Sequence, residues 1–549
     1  MAMCLMISKF RLTNLYKRYI LYVILIIGEK IMWAYEFADR IIKERPNEEV
    51  YTIASGVSPS GFVHIGNFRE IITPFLVAKA LEKRGKKVRF ILSLDEFDRF
   101  RKVPGNIPAE YSKYIGMPYV DIPSPFSKNE SYAEFFEKRF LNELKEVGIE
   151  AECIYQAKEY RNGRYSGQVK LAMDKRFEIF DIIDSFRTQD AEEGERENYY
   201  PISIYCDKCK KETKKILSYN PNTAEVVYEC ECGHRSTINI MKDFNYKLQW
   251  KVDWPMRWKE ENVIFESGGM DHSTANGSKD VAVRISKEIF GFEPPIYEPY
   301  NFIGIKGGGA KMSSSTGNVL TLTDLLKVYD KHLIRWFYAK YKPMQCFNIA
   351  FDNDVIRYYS EFDRWAKMFF DDRIDQGNKE ILEFTEITEE YLNYPNFSYL
   401  ATFLPIVNFN EDMLGKLMER ENTDIHSHYY KERLEKAKHW VENYGKEYQV
   451  NLLESKNVEF YSTLNDDEKL WVNKTIELIG GTYNNSDELM TELYGVVKYL
   501  NLEPQDLKKV QKRFFEILYN LLLGKSQGPK LGIFLMAVSN EKLVSLLKF

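Results

Sequence analysis

Apolar segments of strand length and of helix length alternate near the start of the chain. Residues 50–55 and 88–94 are short apolar runs of the kind that form buried strands. Across residues 67–84, apolar residues recur every three or four positions, as on one face of a helix, and Gly85 follows as a stop. The order strand, glycine-containing turn, helix, strand predicts a βαβ unit, and therefore a parallel sheet covered by helices.

The same spacing rules predict further elements along the chain. Amphipathic helices are expected at residues 132–147, 167–185 and 277–290, a strand at 263–266, and a helix that opens at Leu320. Beyond about residue 354, glycine becomes scarce and helical spacing dominates, for example at residues 429–444, 467–479 and 507–523. This change of pattern predicts a separate all-helical domain over the C-terminal part.

Composition narrows the class of protein. A length of 549 residues predicts about three or four domains, and 44% apolar with 15% aromatic residues is typical of globular folding. The net charge of −5 excludes a uniformly basic nucleic-acid binder, whereas 76 lysines and arginines permit a local basic surface. Seven cysteines in so long a chain do not form a disulfide scaffold, and four of them cluster. A metal site in a reducing compartment is therefore expected.

The first 31 residues differ from the rest. An apolar run at residues 19–27 follows four basic residues, as in a signal peptide, but it is shorter than the ~20 residues of a membrane span. No small-residue cleavage site follows it. The preferred interpretation is an upstream extension, residues 1–31, with Met32 as the natural start; a signal peptide is the alternative. No other segment approaches transmembrane length, so a soluble, cytoplasmic protein is expected.

The turn after the first predicted strand has the composition of a phosphate site. Its sequence over residues 59–67 is PSGFVHIGN, and the first long helix opens there. A helix N-terminus offers unpaired N–H groups and partial positive charge to a phosphate, and Gly61 and Gly66 permit close backbone approach. His64 and Asn67 are candidate catalytic residues, since the imidazole can donate to a phosphoryl oxygen in the transition state. The alternative is a capped helix with a packed histidine.

A second candidate phosphate site follows a run of three glycines at residues 307–309. The segment KMSSSTG at residues 311–317 combines one cation, Lys311, with several hydroxyls. The glycines allow this loop to close over a triphosphate, where Lys311 would stabilise the transition state. Two such segments at opposite ends of one nucleotide-binding domain predict ATP held from both sides. For Lys311 alone, a solvated lysine is the alternative.

Acidic residues follow the second predicted strand, at the sheet edge where ligands bind in parallel sheets. They are Asp95, Glu96 and Asp98. Their carboxylates suit a substrate ammonium group, and the alternative is pairing with the adjacent Arg99, Arg101 and Lys102. Further along, Trp250, Trp254 and Trp258 either offer aromatic faces to a cation or belong to the core. Asp271 and His272, after a Gly-Gly turn, suit contact with ribose or adenine.

The cysteine cluster has the spacing of a zinc site. Cys206 and Cys209 form one pair, and Cys230 and Cys232 form a second, tighter pair. Two thiolate pairs joined by a short hairpin suit tetrahedral Zn²⁺. Because the second pair is unusually close, His234 remains open as a replacement for one cysteine. The expected role is structural, since four ligand positions are filled and no acid/base partner is evident.

The two phosphate segments together resemble the paired signatures of class I aminoacyl-tRNA synthetases, and within that class the chain resembles the lysyl-tRNA synthetases of the archaeal type. The closest local matches lie at residues 59–70, 98–104, 252–258 and 528–532. The likeness extends from about Met32 to the C-terminus. Two residues depart from the wider class pattern: Asn67 replaces a second histidine, and Ser314 replaces a second lysine. The missing charge would then come from Lys311 alone, from Mg²⁺ or from Lys306.

The resemblance implies an α/β fold: a Rossmann-type parallel-sheet catalytic domain with a small inserted zinc-binding module and a C-terminal all-α domain. It implies ATP-dependent formation of lysyl-adenylate, with Mg²⁺ on the phosphates, followed by transfer of lysine to the terminal adenosine of tRNA(Lys). The implied ATP contacts are Pro59, Ser60, Gly61, His64, Gly66, Asn67, Asp271, Lys311, Met312, Ser313 and Ser314, with Ser313 and Ser315 also catalytic. The implied lysine contacts are Gly56, Ser58, Asp95, Asp98, Trp254, His272 and Tyr300.

The same resemblance divides the chain. Residues 32–200 are the first half of the catalytic domain with a connective insertion, 201–240 the zinc module, 241–353 the second half with the KMSSS loop, and 354–549 an anticodon-binding helical domain. One candidate tRNA contact is a basic stripe of Lys508, Lys509, Lys512 and Arg513, and the alternative is a solvated helix face. The protein is expected to be a monomer. Three other functions stay open: a class I synthetase for glutamate or cysteine, a nucleotidylyltransferase, and a non-catalytic tRNA-binding paralogue.

Overall fold

The computed structural model describes residues 31–189, 191–307, 320–421, 423–445 and 452–549. The chain forms two compact units. The first contains the residues up to Thr323 together with Ile334–Ile349 and Asp371–Glu386; the second contains Asp324–Leu333, Ala350–Phe370 and Ile387–Phe549. None of the helices in the described parts of the chain is both long enough and apolar enough to cross a membrane.

The strands that the structure describes are β1 (Tyr51–Val57), β2 (Val88–Leu94), β3 (Glu152–Tyr155), β4 (Ile202–Tyr205), β5 (Glu212–Thr213), β6 (Ile216–Asn220), β7 (Glu225–Glu229), β8 (Arg235–Asn239), β9 (Tyr246–Leu248), β10 (Val263–Gly269), β11 (Ile296–Tyr300), β12 (Ile303–Ile305) and β13 (Phe347–Ile349).

The described α-helices are α1 (Trp33–Glu44), α2 (Ile65–Lys83), α3 (Tyr132–Glu146), α4 (Gln156–Arg161), α5 (Ser166–Asp174), α6 (Arg176–Asp184), α7 (Trp250–Glu261), α8 (Ser278–Glu288), α9 (Leu322–Leu326), α10 (Lys331–Lys340), α11 (Asp354–Phe370), α12 (Gln376–Glu383), α13 (Phe397–Ile406), α14 (Glu411–Arg420), α15 (His428–Asn443), α16 (Val458–Ser462), α17 (Asp466–Ile479), α18 (Ser486–Gly495), α19 (Pro504–Leu523), α20 (Leu531–Ala537) and α21 (Asn540–Leu547).

The first unit is built on a five-stranded parallel sheet in the order β11-β10-β1-β2-β3. Chain order runs outward from β1 in both directions, so the sheet reverses between β1 and β10. Ligands of such sheets bind beyond the carboxyl ends of the strands at this reversal. The parallel sheet covered by helices, and the helical C-terminal part, confirm the predicted fold class.

Helix α2 is fixed against the sheet by its own sequence. Its apolar residues are buried on nearly every side, and Pro74 lies inside it. Because proline has no N–H, the carbonyl of Glu70, four residues earlier, lacks its helical partner. That carbonyl instead accepts a hydrogen bond from Ser55 Oγ at 3.1 Å. The second turn of α2 is thereby tied to the end of β1.

The segment between β3 and β10 carries two small antiparallel sheets. One has the order β5-β4-β9, and the other is the β6-β7-β8 meander. The cysteine pairs lie at the ends of β4 and β7, just where each strand gives way to a turn. This module therefore has its own strands and its own set of clustered cysteines.

One predicted helix is divided. The expected helix over residues 167–185 is two helices, α5 and α6, with a break at Lys175, whose backbone leaves the helical region. The apolar positions continue at helical spacing on both sides of the break, from Val169 and Ala172 to Ile179 and Ile183. Nothing in the hydrophobic pattern therefore marked the interruption.

The second unit is helical, and a fully buried arginine lies at its centre. Arg433 on α15 pairs with Asp330 at 2.5 Å and with Asp363 at 3.0 Å. Its side chain is completely shielded from solvent. Its guanidinium also lies 4.6–5.3 Å from the ring centroids of Tyr359, Tyr391 and Tyr394. Removing one member of such a network leaves a buried charge without compensation, so the network fixes how these helices pack.

Candidate active site

A cavity of about 480 Å³ lies at the carboxyl ends of β1, β2 and β10, where the strand order reverses. Its wall is contributed by the ends of these strands, by the turn before α2, by α2 itself and by α7. The residues that line it include Gly56, Ser58, Ser60, Gly61, Asn67, Glu70, Asp95, Asp98, Lys247, Trp250, Trp254, Arg257, Glu266, Gly268 and His272. The topology thus collects polar and aromatic groups around one concave site.

His64 is the N-cap of α2. Its Nδ1 accepts hydrogen bonds from the N–H groups of Gly66 at 3.1 Å and of Asn67 at 3.3 Å. An imidazole nitrogen that accepts carries no proton, so the proton of the neutral ring is on Nε2. Gly66 is required here, because a Cβ at this position would lie 2.9 Å from the His64 ring. The capped helix and the phosphate donor are therefore compatible, with one ring nitrogen for each role.

The residues that follow the KMSSSTG segment return to this same turn. Ile65 N–H donates to the carbonyl of Leu320 at 2.9 Å, and His64 and Thr321 form an isolated antiparallel bridge. Residues 308–319, and with them Lys311, Met312, Ser313, Ser314 and Ser315, lie outside the described residues. The chain on the C-terminal side of the segment is thus hydrogen-bonded directly to the first phosphate turn.

Two of the acidic residues in the wall are paired with buried cations. Asp95 contacts Arg257 at 2.6 Å, and Asp98 contacts Lys247. The fully buried Asp253 accepts from Arg257 and lies 3.5 Å from Lys247, so it joins the two pairs. Buried carboxylates require such compensation, because the charged form is otherwise poorly solvated. The network holds the floor of the cavity between β9 and α7.

Two other acidic residues in the wall have aromatic partners. Glu266 on β10 accepts hydrogen bonds from the indole N–H groups of Trp254, at 3.0 Å, and of Trp258. Glu70 on α2 accepts one from the Tyr300 hydroxyl at 3.0 Å. Burial raises the pKa of Glu266 to about 7 and the pKa of Glu70 to about 8, because the charged carboxylate loses its hydration.

The aromatic side of the cavity is a stack of indoles with His272 beside it. Trp250 and Trp254 are stacked with ring centroids 5.2 Å apart, and His272 lies 6.2 Å from Trp254. The indole N–H of Trp250 is shielded from solvent and has no hydrogen-bond partner among the residues that the structure describes. An aromatic face beside carboxylates is the environment that proteins use for an ammonium group.

The sequence comparisons agree with this geometry. Residues 31–389 match the family model described as tRNA synthetases class I (K). The chain belongs to this family. A lysine–tRNA ligase from Borreliella burgdorferi is 35% identical, with 93% of this chain and 97% of that protein covered. A lysine–tRNA ligase from Pyrococcus horikoshii is 34% identical, with 94% and 99% covered. The family predicted from the two phosphate segments is confirmed.

A solved structure of a glutamate tRNA ligase from Elizabethkingia meningosepticum is also similar to the synthetase. It is 13% identical, with 91% of this chain and 99% of that chain covered, and its TM-score is 0.44. A likeness at this level carries no argument, and the family rests on the sequence matches.

Nine of the site residues predicted for the synthetase line the cavity: Gly56, Ser58, Ser60, Gly61, Asn67, Asp95, Asp98, Trp254 and His272. Pro59, His64, Gly66, Asp271 and Tyr300 lie next to it without forming its wall. Tyr300 is buried and reaches the cavity through Glu70, and Asp271 Oδ1 would lie 2.4 Å from a Cβ on Gly269. The roles of these residues remain predictions.

The wall also contains residues that were not predicted as site residues from the sequence, among them Glu70, Lys247, Arg257 and Glu266. Glu266 ended a predicted strand and Arg257 lay in the Trp-rich match at residues 252–258, so both were near recognised features. Glu70 lies six residues after His64, on the same helix. No spacing rule links any of the four, because the fold alone brings α2, α7, β9 and β10 together.

The cysteines of the inserted module lie close enough to share one metal ion. The ligand sulfurs of Cys206, Cys209, Cys230 and Cys232 are all within 4.8 Å of one another, with Cys206 3.8 Å from Cys232 and Cys209 3.5 Å from Cys230. Four thiolates at 2.3 Å around tetrahedral zinc would be about 3.8 Å apart. The hydrogen bond from the backbone N–H of His234 lowers the pKa of Cys232 to about 7, which favours the ligating thiolate. The four-thiolate set therefore fits zinc.

His234, which the sequence left open as a replacement for one cysteine ligand, is not part of the cysteine cluster. Its carbonyl accepts from the N–H of Cys230 at 2.8 Å, and its ring packs against Tyr228 at 6.3 Å. The metal-sized group consists of the four cysteines, with His234 outside it. His234 thus shapes the turn that presents Cys230 and Cys232.

Proposed function

We propose that this synthetase activates L-lysine with ATP, giving lysyl-adenylate and pyrophosphate, and then transfers lysine to the 3′-terminal adenosine of tRNA(Lys). The observation that carries this function is the full-length match to lysine–tRNA ligases. Two of them, at 34–35% identity, align over 93–94% of this chain and over 97–99% of their own length. A match of that extent includes both the catalytic unit and the helical unit. It therefore supports the complete two-step reaction and not the activation step alone.

The first phosphate turn would hold the ATP triphosphate. The N-terminus of α2 favours anionic groups, His64 can donate through Nε2, and Asn67 lines the cavity and can donate through its amide. Pro59, Ser60, Gly61 and Gly66 would bring the backbone close to the phosphates, and Asp271 would contact the ribose or adenine. Mg²⁺ arrives with the nucleotide and offsets phosphate charge.

The KMSSS segment would complete the ATP site. Lys311 would place its ammonium on the developing negative charge, with Met312 and the hydroxyls of Ser313, Ser314 and Ser315 beside the phosphates. The hydrogen bond between Ile65 and Leu320 supports this role, because it places Leu320, three residues after the segment, at the N-terminus of α2. Formation of the adenylate then depends on in-line placement of the lysine carboxylate against the α-phosphorus. The enzyme accelerates this reaction by positioning the reacting groups, without covalent catalysis.

The remainder of the cavity would hold the amino acid. Gly56 and Ser58 lie at the end of β1 beside the phosphate turn, while Trp254 and His272 lie on the aromatic side and Tyr300 behind Glu70. Asp95 and Asp98 would act mainly through Arg257 and Lys247, the cations that they contact. The amino acid would therefore lie between the phosphate turn and the indole stack.

The helical unit would bind the tRNA anticodon. On α19, Lys509 pairs with Asp506 at 2.9 Å, Lys512 with Glu516 at 3.9 Å and Arg513 with Glu468 at 2.8 Å, and Lys508 extends the same basic stripe. Lysine and arginine side chains contact phosphates, and exposed aromatic rings stack on unpaired bases. We further propose that the enzyme is a monomer and that it acts in the cytoplasm, where its tRNA substrate is found.

The cysteine module would hold one structural Zn²⁺ through Cys206, Cys209, Cys230 and Cys232. Metal analysis of the purified protein should then give one zinc per chain. Replacing Cys209 by serine should abolish stoichiometric zinc and lower the thermal midpoint, because structural zinc contributes on the order of 10 kcal/mol to folding its module. Replacing Cys153 by serine is the matched control, since this cysteine lies outside the cluster. Full zinc retention by the Cys209 variant would contradict the four-thiolate site.

The proposed activity is tested by ATP–pyrophosphate exchange with each amino acid in turn. Lysine should support exchange, and glutamate and cysteine should not. Transfer is then tested by charging tRNA with radiolabelled lysine and locating the label on the terminal adenosine. Charging without lysine-dependent exchange, with tRNA(Lys) present in both assays, would contradict a reversibly formed adenylate intermediate.

A further inference from the structure

One sheet of the inserted module serves both the cavity and the cysteine cluster. Its strands β4, β5 and β9 all contribute to the cavity wall, through residues that include Tyr205, Glu212 and Lys247. Tyr205 is the last residue of β4, and Cys206, the first cysteine of the cluster, follows it directly. One peptide bond therefore separates a wall residue of the cavity from a candidate metal ligand.

Tyr205 connects this sheet to the loop of residues 95–100, which follows β2. Its hydroxyl donates a hydrogen bond to the carbonyl of Phe97, and the two ring centroids lie 5.0 Å apart. Both side chains are buried, and a buried carbonyl that loses its donor is destabilised, because no water takes the donor's place. Phe97 lies between Asp95 and Asp98, which are both in the cavity wall. The hydroxyl of Tyr205 thus holds the loop that carries these two carboxylates.

A second set of contacts joins the same hairpin to the same loop. Glu212 on β5 pairs with Arg99 at 2.9 Å. The N–H of Glu212 also donates to the carbonyl of Gly116 at 2.7 Å, and the N–H of Gly116 donates to the carbonyl of Phe100 at 2.9 Å. The β4–β5 hairpin therefore contacts loop 95–100 through one strand at Phe97 and through the other at Arg99 and, by way of Gly116, at Phe100.

Zinc held by all four cysteines would join the two sheets of the module. Cys206 and Cys209 lie in the turn between β4 and β5, whereas Cys230 and Cys232 lie in the turn between β7 and β8. The first turn belongs to the sheet β5-β4-β9 and the second to the β6-β7-β8 meander. Metal ligation would therefore fix the hairpin that carries Tyr205, because the binding free energy of a structural metal is spent on ordering its ligand segments.

We propose that Tyr205 and Glu212 are positioning residues that couple the cysteine cluster to the cavity, so that zinc in the cluster strengthens the binding of lysine in the cavity. This inference rests on the proposed function, because it takes lysine as the ligand of the cavity. Both ligands order loop 95–100: zinc through the β4–β5 hairpin, and lysine through the wall that the loop forms. The coupling is reciprocal, so bound lysine must raise the affinity for zinc by the same factor.

The variants Tyr205→Phe and Glu212→Gln test the coupling. Each keeps all four cysteines and nearly the same side-chain volume, but weakens one contact between the hairpin and loop 95–100. Both variants should retain one zinc per chain. In ATP–pyrophosphate exchange, each should raise KM for lysine at least 5-fold, the lower end of the usual range for coupled sites, and change KM for ATP less than 2-fold.

Zinc affinity is the readout that separates a positioning role from a direct contact with lysine. It is measured by equilibrium competition with the chromogenic chelator 4-(2-pyridylazo)resorcinol, with and without saturating L-lysine. Lysine should raise the zinc affinity of the wild type at least 5-fold and that of either variant less than 2-fold. A residue that only touched lysine would raise KM but leave the effect of lysine at saturation unchanged.

Tyr246→Phe is the matched control. The hydroxyl of Tyr246 on β9 also donates to a backbone carbonyl, that of Ile240, and its side chain is also buried. This bond stays within the inserted module, and Tyr246 does not line the cavity. The variant should keep the wild-type KM for lysine and the wild-type effect of lysine on zinc affinity. Thermal midpoints close to that of the wild type establish that the variants are folded.

Four results decide the matter. A lysine effect on zinc affinity in the wild type and the Tyr246 variant, lost in the Tyr205 and Glu212 variants, supports the inference. A zinc affinity that is independent of lysine in the wild type overturns it, as does a purified protein without stoichiometric zinc, and lysine-dependent exchange then leaves the proposed activity standing. An unaltered lysine effect in both hairpin variants overturns the roles of Tyr205 and Glu212. Absence of lysine-dependent exchange in the wild type overturns the proposed function, and the inference falls with it.

Discussion

Replacing Lys311 by alanine should lower kcat for lysine-dependent ATP–pyrophosphate exchange by about 10²–10³-fold, the usual cost of removing one group that stabilises transition-state charge. The loss should be large because Ser314 occupies the position where the wider class has a second lysine. A single side chain then carries positive charge that is elsewhere divided between two. KM for lysine should change little, since the proposed site places the amino acid toward the indole stack.

The control for Lys311 is Lys79→Ala. Lys79 is partly exposed on α2 and pairs with Glu82 at 2.9 Å, so it shares the helix of the phosphate turn but does not line the cavity. Its loss should leave kcat within about 2-fold, as expected for a surface ion pair. Single-turnover formation of lysyl-adenylate is the measurement. Wild-type rates in the Lys311 variant would contradict a catalytic role for the KMSSS segment.

Replacing His64 separates its two roles. His64→Asn should keep the cap of α2, because asparagine is among the best N-cap residues, but it removes the donor on Nε2. We expect kcat to fall about 10²-fold, within the range for a general acid or hydrogen-bond donor in the transition state, with little change in stability. His64→Ala should lower kcat similarly and also reduce the free energy of unfolding by about 1 kcal/mol, the value of a lost N-cap.

The comparison of the two His64 variants is measured by exchange kinetics and by urea unfolding. Ser131→Ala provides a cap control, because Ser131 caps α3 with a capping box and does not line the cavity. It should reduce stability as His64→Ala does, without a comparable loss in kcat. If His64→Asn retained full kcat, the histidine would be a helix cap only, and the proposed phosphate contact would be wrong.

The first βαβ unit could be predicted from the sequence because the signals that set its bounds lie within one short segment. Predicted strand 88–94 is β2 without any shift, and predicted helix 67–84 is α2 with its start two residues earlier, after the cap His64. Apolar spacing and Gly85 determine these bounds within one segment. The division at Lys175 was not accessible, because the spacing of Val169, Ala172, Ile179 and Ile183 continues through it.

The site residues likewise fall into those that local motifs predict and those that only the tertiary structure brings together. Gly61, Asn67, Asp95 and His272 were recognised because each follows a strand or lies in a local motif, and all four line the cavity. Glu70 and Glu266 acquire their meaning only from contacts between distant segments, such as Tyr300 with Glu70, 230 residues apart. The same holds for the cations on Asp95 and Asp98: Arg257 is 162 residues from its partner and Lys247 is 149. Such pairings depend on tertiary structure, to which spacing rules do not extend.

The most direct measurement of the central claim is ATP–pyrophosphate exchange by the purified wild-type protein with each standard amino acid in parallel. If the cavity selects lysine, exchange should occur with lysine and remain at background with glutamate and cysteine. Robust exchange with glutamate or cysteine and none with lysine would contradict the account.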